Sequence, residues 1–192
     1  MIIKENMIYR YDNIIDSTMC DSILNYYTET YDNQLNDINK LPCFEENTIY
    51  WVNLQKTKIQ NEINFCRKNI SKLVNDSYNV LSYPHLTTLV MWKEGKSMAI
   101  HKDNGYENDK DILHMRTYTA VMYINDDFEG GETIIQKENS NEIEYECKPQ
   151  KGSVLIFKSD DSCLHGVNKI TKGNRLTLSM WFVIDEQYLE KL

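Results

Sequence analysis

The chain reads as a mainly β domain, a sandwich or barrel whose supporting helices come first and pack on one side of a β core. Three observations predict this. After Pro84, short β-rich runs follow one another, separated by turn residues and with no stretch of helical period between them. Before it, apolar side chains recur at the spacing of one helix face. The 192 residues, 41% apolar and 26% charged, suffice for one globular domain with a sizeable core and leave a second one cramped.

Residues 8–15 predict a short strand, after which Asp16 or Ser17 caps a helix through Cys20, Ile23, Leu24 and Tyr27. A side-chain oxygen at the cap accepts from a backbone N–H that the first turn leaves without a partner. Residues 31–53 are polar and irregular and contain Pro42. From Leu54 to about Tyr78, the positions of Ile59, Ile63, Cys66, Ile70 and Leu73 predict a second helix. Strands are then expected at 86–93, 97–103, 112–125, 132–136, 142–148, 153–158, 164–170 and 175–184. So many short strands must close or double up to shield their edges, and helices that precede them buttress one face. A single domain over 1–192 follows, with 1–79 as N-terminal strand and helices and 80–192 as the β core.

Twenty-nine acidic against 21 basic side chains give a net charge of −8, a field that repels phosphate backbones and argues against a nucleic-acid partner. No apolar run is long enough to span a bilayer, and Met1-Ile2-Ile3-Lys4-Glu5-Asn6 lacks the basic-then-apolar pattern of a leader. The expected address is the cytoplasm, with no membrane partner. The five cysteines, Cys20, Cys43, Cys66, Cys147 and Cys163, are odd in number and scattered, poor material for a disulfide framework or a zinc knuckle. As free thiols they fit a reducing compartment.

There are four histidines. In His101-Lys102-Asp103, strand alternation would point the imidazole and the carboxylate to the same face. An H-x-D arises readily by chance, so the rest of the chain has to raise its weight. His165 stands near the start of a later strand and could bring a second imidazole to the same spot. Two His and one carboxylate on one side of a metal is the arrangement of non-haem Fe(II) oxygenases, although zinc accepts the same ligands. Ten residues further on, Arg175 shares a strand face with Thr177 and Ser179. If that face is interior, the guanidinium needs an anion, and a dicarboxylate gripped through two parallel hydrogen bonds would supply it. His114, read as inside a strand, and His85, read as a loop or strand-start residue, are taken as structural. The polar loop Asn104–Asp111 is either a flap over substrate or a plain solvated connection.

From about Leu86 to Ile184 the motifs, in order, resemble the 2-oxoglutarate/Fe(II) dioxygenases of the prolyl 4-hydroxylase type. They are His101-Lys102-Asp103, Arg116 through Asn125, Gly130-Gly131-Glu132-Thr133, Pro149 through Phe157, His165-Gly166-Val167, and Gly173-Asn174-Arg175 leading to Trp181. The resemblance implies a double-stranded β-helix (jelly-roll or cupin-like) core with the N-terminal helices packed on one sheet. It implies His101, Asp103 and His165 as iron ligands and Arg175 as partner of the distal 2-oxoglutarate carboxylate. Tyr123 and Ser179 match positions that hydrogen-bond this cosubstrate, and Thr133 one that lines its pocket. Arg116 falls on the opposite strand face from Tyr123 and serves structure or substrate. Two departures stand out: Trp92, where the family often carries Tyr, and Arg175, where collagen-type relatives usually carry Lys.

The implied cofactors are Fe(II), 2-oxoglutarate and O2, with ascorbate as an optional addition. The implied reaction is hydroxylation of a prolyl residue in a peptide or protein, with release of succinate and CO2. The alternatives are hydroxylation of a free amino acid or other small molecule on the same scaffold, and a non-catalytic β-barrel that binds a metal or ligand. A nucleic-acid demethylase would need a basic groove and a second Arg downstream of Arg175, and residues 176–184 contain none.

Overall fold

The structure, a computed structural model, describes residues 2–4, 7–35, 44–45, 47–105 and 112–191. The chain enters through β1 (Ile2–Lys4) and β2 (Ile8–Tyr11). Helix α1 (Ser17–Leu35) follows, and of the two expected caps Asp16 is the one used: its Oδ1 accepts from the Met19 N–H at 2.8 Å. The short strands β3 (Phe44–Glu45) and β4 (Thr48–Tyr50) form where irregular chain was expected. At two and three residues they are too brief to show a period, and their pairing comes from outside: β4 lies against the later strand at Thr48↔Val90 and Ile49↔Leu89. The expected helix over 54–78 is interrupted. Leu54 closes a four-residue helix, α2 (Trp51–Leu54), where the Thr57 hydroxyl donates to the Leu54 carbonyl at 2.7 Å. Helix α3 then runs Gln60–Tyr78 and buries Ile63, Cys66, Ile70 and Val74, the last in place of Leu73.

The second half supplies β5 (Tyr83–Lys93), β6 (Met98–His101), β7 (Tyr118–Tyr123), β8 (Glu129–Gly130), β9 (Thr133–Gln136), β10 (Ile143–Cys147), β11 (Val154–Lys158), β12 (His165–Val167), β13 (Ile170–Lys172) and β14 (Asn174–Val183). Three expectations need correction. The run 112–125 opens as a 3-10 turn, Ile112–Met115, closed by Arg116 N–H on the Leu113 carbonyl; His114 therefore sits exposed on that turn and not inside a strand. The run 164–170 divides into β12 and β13, which belong to different sheets. The run 97–103 stops being strand at His101.

Among the described residues all pairings are antiparallel. The large sheet has the order β1-β2-β11-β7-β14-β5-β4-β3 and the smaller one β10-β9-β12-β6, with β13-β8 as a separate ribbon. Strand alternation gives the large sheet two different faces. Leu176, Leu178, Met180 and Phe182 of β14, with Leu89 and Met91 of β5, join the α1 and α3 core residues Ile23, Tyr27, Ile63 and Ile70 in one cluster. The other face carries Tyr123, Leu155 and Phe157 against Ile135 and Cys147 of the small sheet. The helices thus pack on one sheet, as expected, and His101, His165 and Arg175 line one cavity.

The chain end is clamped onto this frame. Strand β4 ends opposite Thr88, and the next N–H along β5, that of Thr87, donates to Glu190 Oε1 at 2.9 Å. Glu190 Oε2 lies 3.1 Å from Arg67 Nη2, with these side chains only 9% and 12% exposed. The guanidinium carbon of Arg67 also lies 3.9 Å from the Trp51 ring centroid. Removing one member of a buried pair strands the other charge. Glu190→Ala is expected to cost about 3–5 kcal/mol of unfolding free energy, read from the urea midpoint; a loss below about 1 kcal/mol would mean the clamp is ornamental.

Candidate active site

The two imidazoles meet because β12 and β6 are neighbours in register: His165 pairs directly with His101. Their ring centroids are 4.4 Å apart. A side chain after His165 would block this approach, since a Cβ at Gly166 would come 2.7 Å from the Met98 carbonyl oxygen. Each ring places Nδ1 on a backbone carbonyl, His101 on Ala99 at 2.9 Å and His165 on Cys163 at 3.0 Å. A carbonyl only accepts, so Nδ1 carries a proton in each ring, and in the neutral imidazole Nε2 is then the atom with the free lone pair.

Asp103 joins them by a route the strand argument does not describe. With β6 finished at His101, Asp103 stands on a turn, and the N–H groups of both Asp103 and Asn104 donate to the Ser159 carbonyl at 3.0 Å. Asp103 Oδ1 lies 3.4 Å from His101 Nε2 and Oδ2 lies 3.3 Å from His165 Nε2. The potential ligand atoms of the three residues all fall within 4.8 Å of one another, a group that could hold a metal ion. Burial alone would raise the Asp103 carboxyl, but hydrogen bonds with His101 and His165, the His165 charge and the Thr119 hydroxyl more than reverse it. It lies well below the usual carboxylate range. His101 is pushed above its ordinary value, first by its hydrogen bond to Asp103.

Arg175 is 3% exposed. Its Nη2 donates to Thr133 Oγ1 at 3.1 Å, Thr133 shares a 2.7 Å hydrogen bond with the Tyr123 hydroxyl, and the guanidinium carbon lies 5.2 Å from the Tyr123 ring centroid. Gly131, at φ +69°, leaves room for this side chain: a Cβ there would meet Arg175 Cδ at 3.1 Å. Among the described residues no carboxylate pairs with Arg175, and both its Nε and the Thr177 hydroxyl are buried without a hydrogen-bond partner. Burial pulls this guanidinium below its ordinary value, with Tyr123 opposing. Such a cradle suits a buried anion, and one cavity of about 590 Å³ is lined by His101, Asp103 and His165 together with Thr133, Arg175 and Ser179.

Tyr123 lies behind that wall, fully buried, with its hydroxyl on Thr133. Three participants went unassigned in the sequence. Thr119 bonds Asp103, Ser159 bonds Thr119, and Thr177 presents its hydroxyl beside Arg175. Strand parity already put Thr177 on the Arg175 face, and Thr119, four residues before Tyr123 on β7, shares the face of that residue; nothing in the sequence marks Ser159. Arg116 also lines the cavity, its guanidinium carbon 4.5 Å from the Trp181 ring centroid. The parity that placed it opposite Tyr123 does not apply, because β7 begins only at Tyr118. Of the loop Asn104–Asp111, positions 106–111 lie outside the described residues, as do Pro42 and Cys43.

A group whose folded pKa is raised stabilises the fold below its unfolded pKa, and that stabilisation is lost as pH rises through the folded value. Metal-free protein should therefore keep the His101 contribution below the ordinary imidazole value and lose it as pH rises above that value. Thermal melts of wild type and His101→Ala across that rise should converge towards the alkaline end; a pH-independent difference would contradict the pairing with Asp103.

The 2OG-Fe(II) oxygenase superfamily model matches residues 86–183. Prolyl 3-hydroxylase 2 of Homo sapiens is 40% identical over 75 residues, 39% of this chain and 11% of that protein. Prolyl 3-hydroxylase 1 of Gallus gallus is 32% identical over 124 residues, 57% of this chain and 17% of that protein. The chain thus spans only about a tenth to a sixth of the length of these curated relatives. Among solved structures, the viral collagen prolyl hydroxylase of Paramecium Bursaria Chlorella virus-1 superposes with a TM-score of 0.69 at 15% identity, covering 97% of this chain and 100% of that one. A Trichoplax adhaerens prolyl hydroxylase in complex with a hypoxia inducible factor peptide gives 0.72 at 15% identity, covering 96% and 86%. At such identities the likeness is one of fold, the double-stranded β-helix. With just over half of its length matched by the family model, the chain belongs to the 2OG-Fe(II) oxygenase superfamily.

Proposed function

We propose that the protein is a 2-oxoglutarate-dependent Fe(II) hydroxylase acting on prolyl residues of a peptide or protein. The observation that carries this reading is the buried Arg175, without a carboxylate partner among the described residues, in the same cavity as the His101–Asp103–His165 cluster. His101, Asp103 and His165 would hold Fe(II), two imidazoles and one carboxylate being the donor set suited to that metal. Arg175 takes the distal carboxylate of 2-oxoglutarate, Thr133 and Ser179 offer hydroxyls along it, and Tyr123 holds Thr133 in place. When bound, iron with 2-oxoglutarate and O2 supplies the chemistry that replaces a C–H hydrogen by hydroxyl and releases succinate and CO2. The presence of Asp103 favours hydroxylation over halogenation, which needs that position for a halide. Ascorbate would act as the reductant that keeps the iron ferrous.

The protein's own groups then have limited tasks. They orient the cosubstrate, exclude water behind the Thr133–Tyr123 wall, and present the substrate carbon to the open side of the metal. Trp181, Leu86 and Tyr50 also line the cavity, apolar and aromatic walls that suit a proline ring. The names of the matched relatives and structures support the same substrate. The cytoplasmic assignment is supported by the buried free thiols of Cys20, Cys66, Cys147 and Cys163. Among the described residues no helix is long and apolar enough to cross a membrane.

Incubation with Fe(II), 2-oxoglutarate, O2 and proline-rich peptides should add one oxygen atom to peptide by mass spectrometry, and amino-acid analysis should identify the product as a hydroxyproline. Oxidation of free amino acids with peptides untouched would replace the peptide reading with the small-molecule one. Asp103→Ala should abolish succinate formation; retained turnover would remove it from the metal set. Arg175→Ala should raise the 2-oxoglutarate KM by about 100-fold or more, the loss expected for a buried bidentate ion pair, and an unchanged KM would move the anchor elsewhere.

A further inference from the structure

The turn that carries Asp103 raises a question of position. Its side chain is not fixed by a strand ladder, since β6 ends two residues earlier. Yet a carboxylate that swings away from the two imidazoles would leave two ligands and an open face. Two buried hydroxyls close the gap. Thr119, 1% exposed, stands on β7 with its Oγ1 2.7 Å from Asp103 Oδ2. Ser159, fully buried just past the end of β11, has its Oγ 2.8 Å from the same Thr119 oxygen.

The direction of these bonds follows from proton count. An ionised carboxylate only accepts, and a hydroxyl has a single proton to give. Thr119 must therefore donate to Asp103, and Ser159 must donate to Thr119. Both protons of the relay point toward the carboxylate. Ser159 also holds the same turn through its main chain, its carbonyl accepting from the Asp103 and Asn104 N–H groups while its own N–H donates to the Thr117 carbonyl. One residue thus grips the turn at the backbone and, through Thr119, at the side chain.

We propose that Thr119 and Ser159 are positioning residues that act through Asp103. The relay holds one carboxylate oxygen, Oδ2, and so fixes the orientation in which Asp103 faces His101 and His165. This rests on the proposed function only in taking the cluster to be an Fe(II) site. Outer hydrogen-bond partners of metal ligands commonly govern affinity by about 10–100-fold.

The test measures Fe(II) dissociation constants anaerobically, by competition with a chromophoric chelator, for wild type, Thr119→Val, Thr119→Ser and Ser159→Ala. Thr119→Val keeps the volume and deletes the donor, and should weaken Fe(II) by about 10–100-fold. Thr119→Ser restores a donor at the same place and should recover most of that loss. Ser159→Ala leaves the donor but removes the group that orients it, and should fall between. A merely structural role would lower the melting temperature of the metal-free variants without separating Thr119→Ser from Thr119→Val in metal affinity. If Thr119→Val does not fold, the Ser159→Ala constant decides, and one equal to wild type overturns the relay. Wild-type Fe(II) uptake with an unchanged Thr119→Val constant overturns the relay alone; a folded wild-type chain that takes up no Fe(II) overturns the proposed function with it.

Discussion

The pairing of His165 with His101 across β12 and β6 is the constraint on which the rest of the site depends. Strand side chains alternate, so a slip of one residue would turn an imidazole out of the space between the sheets. Several features hold the register. Strand β12 is paired on its other side with β9, His165 opposite Ile135, and Ile135 lies in the buried cluster between the sheets. Gly166 permits the close approach of β6. The Phe157 ring lies 4.5 Å from that of His165, so the large sheet backs the imidazole as well.

Electrostatics divides the cavity into two ends. At one, an acidic side chain is held ionised among potential hydrogen-bond donors. At the other, a guanidinium is buried with hydroxyls and an aromatic face but no counter-charge among the described residues. Burying an unpaired cation is costly, and it persists in a fold chiefly where a ligand is to supply the missing charge. A diacid with a metal-binding keto-acid head satisfies both ends at once. That complementarity, in a protein of net charge −8, places the positive potential where the cosubstrate needs it.

Much of this was legible in the sequence, and the exceptions are instructive. The strand positions of Arg175, Thr177 and Ser179 follow from alternation because β14 is long, Asn174–Val183, and regular. The helix cap at Asp16 and the apolar stripe of α3 follow from local chemistry in the same way. Alternation fails for Asp103 and Arg116, which lie just outside their strands, where a turn and not a pleat decides direction. Ser159 was invisible because its part in the site comes from contacts across 40 residues to Thr119, with no motif to announce them. The hairpin β3–β4 and the break before α3 escaped notice for a related reason: pairing to β5 and one Thr57 hydroxyl outweigh weak local preferences.

The central claim is that one Fe(II) and one 2-oxoglutarate bind together in a single cavity, the metal at His101, Asp103 and His165 and the diacid's far end at Arg175. The most direct measurement is an anaerobic titration of metal-free protein, Fe(II) first and 2-oxoglutarate second, followed in the visible region. A keto-acid chelated to ferrous iron gives a weak metal-to-ligand charge-transfer band. The account predicts that this band grows to a plateau at one equivalent of each, and that succinate, which lacks the keto group, does not produce it. Folded protein that takes up Fe(II) yet develops no band with 2-oxoglutarate would contradict the account.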